Sequence, residues 1–241
     1  MQEKLRLSRL RLTELRAWAV HLYTSLGLVL GFLALIAAAD GRAWEVTFLM
    51  GLAMIVDGTD GALARWWQVS RWLPGFDGRK LDDITDYLNY AFIPVYCLYR
   101  FELVPAAWLP ALFVVLLAAA YGFCQVNAKT DDKYFTGFPN YWNLVVFYMY
   151  LLRLPPAVNV LILLFLAVMV FVPIKYVSTQ TLFMRSIYAA LLALWSLNIL
   201  IILFNFDRPD ARLVYLSLLF PAYHVALSFY LNFRLRARGH G

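Results

Sequence analysis

Apolar residues run along this chain in blocks long enough to cross a bilayer, separated by short polar punctuation. Eight blocks can be drawn, at about 17–39, 44–66, 81–101, 105–127, 139–153, 156–176, 184–206 and 211–233. A helix rising ~1.5 Å per residue needs about 20 residues to cross a ~30 Å hydrocarbon core. Only the fifth block, bracketed by Pro139 and Pro155, falls short of that length. A bilayer offers backbone amides no partner outside their own segment, so each block predicts a helix. The predicted fold is an all-α integral membrane protein of about eight transmembrane helices. Ahead of them, within residues 1–16, Leu5, Leu7, Leu10, Leu12 and Leu15 alternate with Arg6, Arg9, Arg11 and Arg16. That segment predicts a short amphipathic helix lying on an anionic inner leaflet.

Composition sharpens the class. Of 241 residues, 63% are hydrophobic and 15% charged, against about 45–50% and about 25% in ordinary globular domains. A disordered chain is excluded, and a soluble globular enzyme does not fit. No polar stretch is long enough for a separate soluble domain, so residues 1–241 read as one membrane domain. With the N-terminus inside, all 21 Lys and Arg except Arg42, Arg100, Arg153, Arg208 and Arg212 fall on the inner side. The excess sets the orientation, with both termini cytoplasmic. The N-terminus lacks a small-residue cleavage site and reads as mature chain. Cys97 and Cys124 sit in apolar runs without metal-ligand spacing and read as core residues; His21 and His224 read as helix-packing or interface residues, and His240 as part of the tail.

The chemistry concentrates between positions 57 and 86, which hold six of the 15 acidic residues: Asp57, Asp60, Asp77, Asp82, Asp83 and Asp86. Asp57 and Asp60 lie inside an apolar run, where a carboxylate costs roughly 2.5–3.5 kcal/mol or more unless it is paired. Asp57 is thirteen residues past Trp44, roughly 20 Å along a helix, which puts it in the cytoplasmic third and not at the midplane. At i, i+3 it shares a helix face with Asp60, continued by Gly61 and Ala64; Asp82 and Asp86, at i, i+4, share a face of the next helix. Antiparallel packing of the two helices gathers four carboxylates. Their repulsion calls for divalent cations, and an all-oxygen ligand set selects Mg²⁺ or Mn²⁺. Two such ions form the usual clamp for displacement at phosphorus. Gly58, Gly61 and Gly78 leave room for a nucleotide, Arg65 suits a phosphate, and Arg79 and Lys80 add positive charge at the rim.

The run Asp57-Gly-Thr-Asp60-Gly61-Ala-Leu-Ala64-Arg65, followed by Gly78-Arg-Lys-Leu-Asp82-Asp-Ile-Thr-Asp86, resembles the CDP-alcohol phosphotransferase signature at all eight of its positions. The twelve residues between Arg65 and Gly78 are more than most of the family has. That insert, the run Lys129–Asn143 and the eight-span length resemble a bacterial branch whose acceptor is choline. The resemblance implies that an alcohol displaces CMP from CDP-diacylglycerol. It implies further that Asp57, Asp60, Asp82 and Asp86 hold two metal ions, that Asp86 deprotonates the alcohol, and that Asp60, Gly61, Ala64, Arg65 and Gly78 surround the CDP group. A homodimer in the bacterial inner membrane is implied in the same way.

Choline carries a permanent cation that aromatic faces bind, each contributing roughly 0.5–2 kcal/mol. Tyr134, Phe135, Phe138, Tyr141 and Trp142 cluster before and at the start of the fifth block, and Tyr87 and Tyr90 follow Asp86. Tyr90, Phe135, Tyr141 and Trp142 are the candidates for the choline site. Asp83, Asp131 and Asp132 could add negative potential. Serine, inositol or glycerol phosphate as acceptor is the near alternative; a cation transporter is more remote, because it would want its acids at the midplane on broken or repeated helices.

Overall fold

A computed structural model describes residues 2–125, 134–177 and 186–237. The chain divides into two compact units, Met1–Tyr96 and Cys97–Gly241.

In the first unit, α1 (Gln2–Ala39) is a single helix of 38 residues. The N-terminal basic segment is therefore helical but continuous with the first span, and does not form a separate helix. The reason is local: no Gly or Pro occurs before Gly27, and Leu, Arg and Glu are strong helix formers. Gly41, at φ +77°, closes the helix, with the Gly41 and Arg42 amides donating to the carbonyls of Ala38 (2.9 Å) and Ala37 (2.8 Å). The Arg42 guanidinium pairs with Asp40 at 2.8 Å and with Glu45. The chain then returns as α2 (Ala43–Trp66).

The two helices pack through stripes at 3–4 residue spacing. On α1 the buried face includes Ala17, Val20, Thr24, Ala34 and Ala38; on α2 it is Ala43, Val46, Met50, Ala53 and Asp60. Small side chains let helix backbones approach, the common device where no hydrophobic effect drives association. After the short α3 (Val69–Trp72) comes α4 (Gly78–Tyr87), whose N-cap is Asp77, its carboxylate accepting from the Lys80 amide at 3.0 Å. The helix widens into a π-turn at Leu88–Phe92 and continues as α5 (Ile93–Arg100). Pro94 has no N–H for the Tyr90 carbonyl, and a widened turn accommodates that loss.

In the second unit a 3₁₀ turn (Ala106–Trp108) leads into α6 (Leu109–Cys124), followed by β1 (Tyr134–Thr136), α7 (Trp142–Leu152), α8 (Pro156–Phe171), β2 (Lys175–Val177), α9 (Ser186–Phe204), α10 (Ala211–Ser217) and α11 (Leu219–Ala237). The α6 stripe Leu112, Val115, Ala119 faces the α8 stripe Val160, Leu163, Ala167. The two strands pair antiparallel, Phe135 opposite Tyr176. Buried hydroxyls link the later helices: Tyr148 donates to the Ser217 carbonyl (3.1 Å) and accepts from Trp195 Nε1 (3.0 Å), while the Tyr188 hydroxyl lies 2.8 Å from His224 Nδ1. Cys97 is buried, whereas Cys124 at the end of α6 is exposed and not a core residue.

Among the described residues five helices, Arg11–Ala39, Ala43–Trp66, Ala106–Cys124, Ser186–Phe204 and Ala211–Arg234, are long and apolar enough to cross a membrane, and Trp142–Leu152 and Pro156–Phe171 are shorter apolar helices. With the rod from Gly78 to Arg100 they occupy the eight predicted blocks. Large apolar side chains such as Leu117, Phe165 and Phe204 point outward, which suits lipid and not water. The chain is an all-α, multi-pass membrane protein.

Two glycines test this packing against each other. Gly137 has φ +82°, and a Cβ there would run into the Val170 carbonyl, whereas a Cβ on Gly51 would meet nothing within 4 Å. In detergent, Gly137→Ala is expected to lower the unfolding midpoint by the equivalent of more than about 1 kcal/mol. Gly51→Ala, inside a helix, is expected to leave it unchanged or raise it by up to about 1 kcal/mol. Equal midpoints for the two variants would contradict the backbone described here.

Candidate active site

The catalytic-motif residues fall on α2 and α4. Asp57 and Asp60 continue the buried stripe of α2 after Ala53, so the packing that seats α2 on α1 also turns these carboxylates inward. Asp82 and Asp86 occupy one face of α4, four residues or one turn apart. One carboxylate oxygen from each of Asp57, Asp82 and Asp86 lies within 4.8 Å of the others, and all three residues are half-buried. Like charges ~4 Å apart at an effective dielectric near 20 repel by about 4 kcal/mol. A cluster of three therefore needs a cation or protons. An all-carboxylate donor set without His or Cys fits a hard divalent ion.

The fourth predicted ligand stands apart. Asp60 is 6% exposed and accepts a 2.8 Å hydrogen bond from the Thr24 hydroxyl of α1. The structure thus brings together three of the four acids and holds the fourth on the first helix. One residue earlier on each helix, the Tyr23 hydroxyl lies 2.8 Å from Thr59 Oγ1, a second link between α1 and α2.

The three motif glycines differ. Among the described residues nothing lies within 4 Å of a Cβ built on Gly58, and one on Gly61 would meet only the end of the Arg65 side chain at 3.3 Å. Those two leave open space beside the exposed Arg65. Gly78 does not: the His21 ring occupies that position, its Cε1 2.6 Å from where a Cβ would stand. Ala64 packs beside Ala17 and Val20 of α1.

The aromatic candidates separate as well. Tyr90, in the π-turn, belongs to the first unit, and its hydroxyl donates to Asp57 Oδ2 at 2.6 Å. Phe135, Tyr141 and Trp142 belong to the second unit. Phe135 is half-buried in β1. The Tyr141 ring lies 6.4 Å from His224. Trp142 is fully buried, with Phe138 edge-on at 5.0 Å and its indole N–H donating to Asn140 Oδ1 at 3.0 Å. Asp77 serves α4 as its cap, Asp83 is exposed, and Asp131 and Asp132 lie outside the described residues.

Sequence reasoning missed the part played by α1. His21 covers Gly78, Thr24 holds Asp60, Gly27 accepts from Asn89 Nδ2 at 3.0 Å, and Gly31 lies against Asn89 and Ile93. A Cβ on Gly27 would stand 2.6 Å from Thr85 Cγ2. The signal was available as two polar residues followed by two glycines on one face of an apolar helix.

A bundle of membrane helices that presents three converging carboxylates beside open glycines and an arginine is the layout of a membrane enzyme acting on a phosphate ester. Residues 17–174 match the model of the CDP-alcohol phosphatidyltransferase family, and the chain belongs to that family. It is a phosphatidyltransferase, of a kind generally dependent on divalent metal. Among its relatives, the phosphatidylcholine synthase of Pseudomonas aeruginosa is 42% identical over 70% of this chain and 72% of its own length. The enzyme of that name from Legionella pneumophila is 36% identical over 89% and 88%, and the one from Borreliella burgdorferi is 33% identical over 92% and 97%.

The hydrogen bond from Tyr90 orients a carboxylate of the cluster, and partners of this sort typically change metal affinity about 10–100-fold. Tyr90→Phe is therefore expected to raise the Mn²⁺ concentration for half-maximal activity by roughly tenfold, with a matching loss of Mn²⁺-induced thermal stabilisation. An unchanged Mn²⁺ dependence on both readouts would contradict that role.

Proposed function

We propose that the chain transfers the phosphatidyl group of CDP-diacylglycerol to choline and releases CMP, as a phosphatidylcholine synthase. The observation that carries this reading is the meeting of Asp57, Asp82 and Asp86 in a chain resembling enzymes of that name over most of their length.

Asp57, Asp60, Asp82 and Asp86 are assigned two ions, Mn²⁺ or Mg²⁺; when bound, these neutralise the diphosphate and ease departure of CMP. Asp60, Gly61, Ala64 and Arg65, with the backbone at Gly78, surround the CDP group. The open side of Gly61 and the guanidinium beyond it support this assignment. The choline hydroxyl oxygen attacks the phosphorus that bears diacylglycerol. The bond from that phosphorus to the CMP oxygen breaks, CMP keeps the electron pair, and the hydroxyl proton passes to the Asp86 carboxylate. Holding both reactants in line supplies much of the remaining rate. Of the aromatic candidates, Tyr90 of the first unit is assigned to the quaternary ammonium. The hydroxyl bond of Tyr90 to Asp57 supports it best, because it ties that ring to the carboxylates.

The excess of Lys and Arg on one side supports a bacterial inner-membrane location with termini and active site cytoplasmic. The family match runs from residue 17 to 174 across the boundary between the two units, which supports one membrane domain. Family resemblance supports a homodimer.

The test is CMP release by purified protein in detergent with CDP-diacylglycerol and Mn²⁺ or Mg²⁺. Choline, serine, inositol and glycerol phosphate are offered separately, beside an Asp82→Asn control. Release with choline alone, lost in the control, is the expected outcome. Release only with another alcohol would keep the metal site and overturn choline as acceptor; no release with any of the four from folded, metal-loaded protein would likewise overturn the proposed reaction.

A further inference from the structure

Two neighbouring facts about the first unit have a common explanation. The ring of His21 occupies the side of Gly78, with Cε1 at 2.6 Å and Nδ1 at 3.2 Å from where a Cβ would stand. That ring is also almost wholly enclosed, with 7% of the residue exposed, and its Nε2 has no hydrogen-bond partner among the described residues. Buried polar atoms without a partner are rare in folded proteins. This one lies in contact with the helix that carries two of the three clustered carboxylates.

Packing, and not hydrogen bonding at Nε2, fixes the ring. Phe76 lies against it with ring centres 4.4 Å apart, and Trp18 closes the cluster at 5.9 Å from His21 and 5.2 Å from Phe76. Phe76 is the next-to-last residue of the insert between Arg65 and Gly78, so the same ring clamps the insert and the first residue of α4. From Gly78 the helix climbs one turn to Asp82 and a second to Asp86. A displacement at its first residue is carried along a stiff rod into the carboxylates, where metal ligands tolerate only about ±0.2 Å. A methyl on Gly78 would have to part from the His21 ring by roughly 0.8 Å to reach ordinary contact.

We propose that His21 is a positioning residue for the carboxylate cluster: its ring sets where α4 begins, and the missing side chain at position 78 makes room for that ring. Gly58 and Gly61, with open sides, are the motif glycines that leave room for substrate. The inference deepens the proposed function and rests on it for the metal, but the contact itself does not depend on the acceptor.

The test is a double-substitution cycle on the full-length protein in detergent: Gly78→Ala, His21→Ala and the pair. Three quantities are read: unfolding midpoint, Mn²⁺ concentration for half-maximal thermal stabilisation, and choline-dependent CMP release. Gly78→Ala alone is expected to weaken Mn²⁺ binding and CMP release at least tenfold. Adding His21→Ala is expected to bring both back to within about threefold of His21→Ala alone, because the methyl then occupies the space the ring left. If Gly78→Ala fails to fold, recovery of folded protein in the double variant supports the same conclusion. A double variant no better than Gly78→Ala, or a fully active Gly78→Ala, would overturn the proposal. Wild-type protein that binds Mn²⁺ but releases no CMP would count against the proposed function alone, since the midpoint and Mn²⁺ readings still decide the role of His21.

Discussion

Three carboxylates do not gather by themselves. Each of Asp57, Asp82 and Asp86 is repelled by the other two across a gap of less than 4.8 Å between carboxylate oxygens. The free energy that holds them together comes from elsewhere in the first unit, and the described contacts trace it to α1. Along one face that helix meets α2 and the rod from Gly78 to Arg100 through His21, Thr24, Gly27 and Gly31. Helix packing of this kind is stiff and close, with glycine removing the side chain where backbones must meet. Three carboxylates this close repel one another, and a divalent cation held between them would offset that repulsion.

Placement follows from the same packing. Two substrates of opposite character must meet, a lipid whose acyl chains stay in the bilayer and a water-soluble alcohol. Asp57 and Asp60 lie toward the last turns of α2 and Asp82 and Asp86 in the first turns after the loop at 73–77. The carboxylates therefore sit near the ends of their helices, where a diphosphate can remain hydrated until it meets them. Open sides at Gly58 and Gly61 leave space along α2, and Arg65 follows one turn later.

Much of this was legible in the sequence, for identifiable reasons. Length and hydropathy located the eight helical segments because a bilayer permits little else. The i, i+3 and i, i+4 spacings put the acids on facing surfaces because helix geometry is fixed. What periodicity could not show is that Asp60 also accepts a hydrogen bond from Thr24 of α1. Nor could it show what stands against a glycine, so Gly58, Gly61 and Gly78 read alike although His21 fills the space at one of them. The N-terminal segment read as a separate interfacial helix because its composition changes at position 17, yet the backbone has no reason to break there. Trp142 read as a candidate for the choline site by residue type, while its ring is fully buried, with Phe138 edge-on and its N–H on Asn140. Tyr90 was picked out as an aromatic ring near Asp86. The π-turn at Leu88–Phe92 and its bond to Asp57 depend on tertiary packing.

The central claim is that Asp57, Asp82 and Asp86 form one divalent-metal site on which transfer depends. Electron paramagnetic resonance of free Mn²⁺, titrated with purified protein in detergent, tests it most directly. Wild-type protein is predicted to quench the free-ion signal stoichiometrically, and Asp57→Asn, Asp82→Asn and Asp86→Asn, each shown to be folded, are each predicted to abolish the quenching at the same concentrations. Undiminished quenching by all three folded variants, or none by the wild type, would contradict the account.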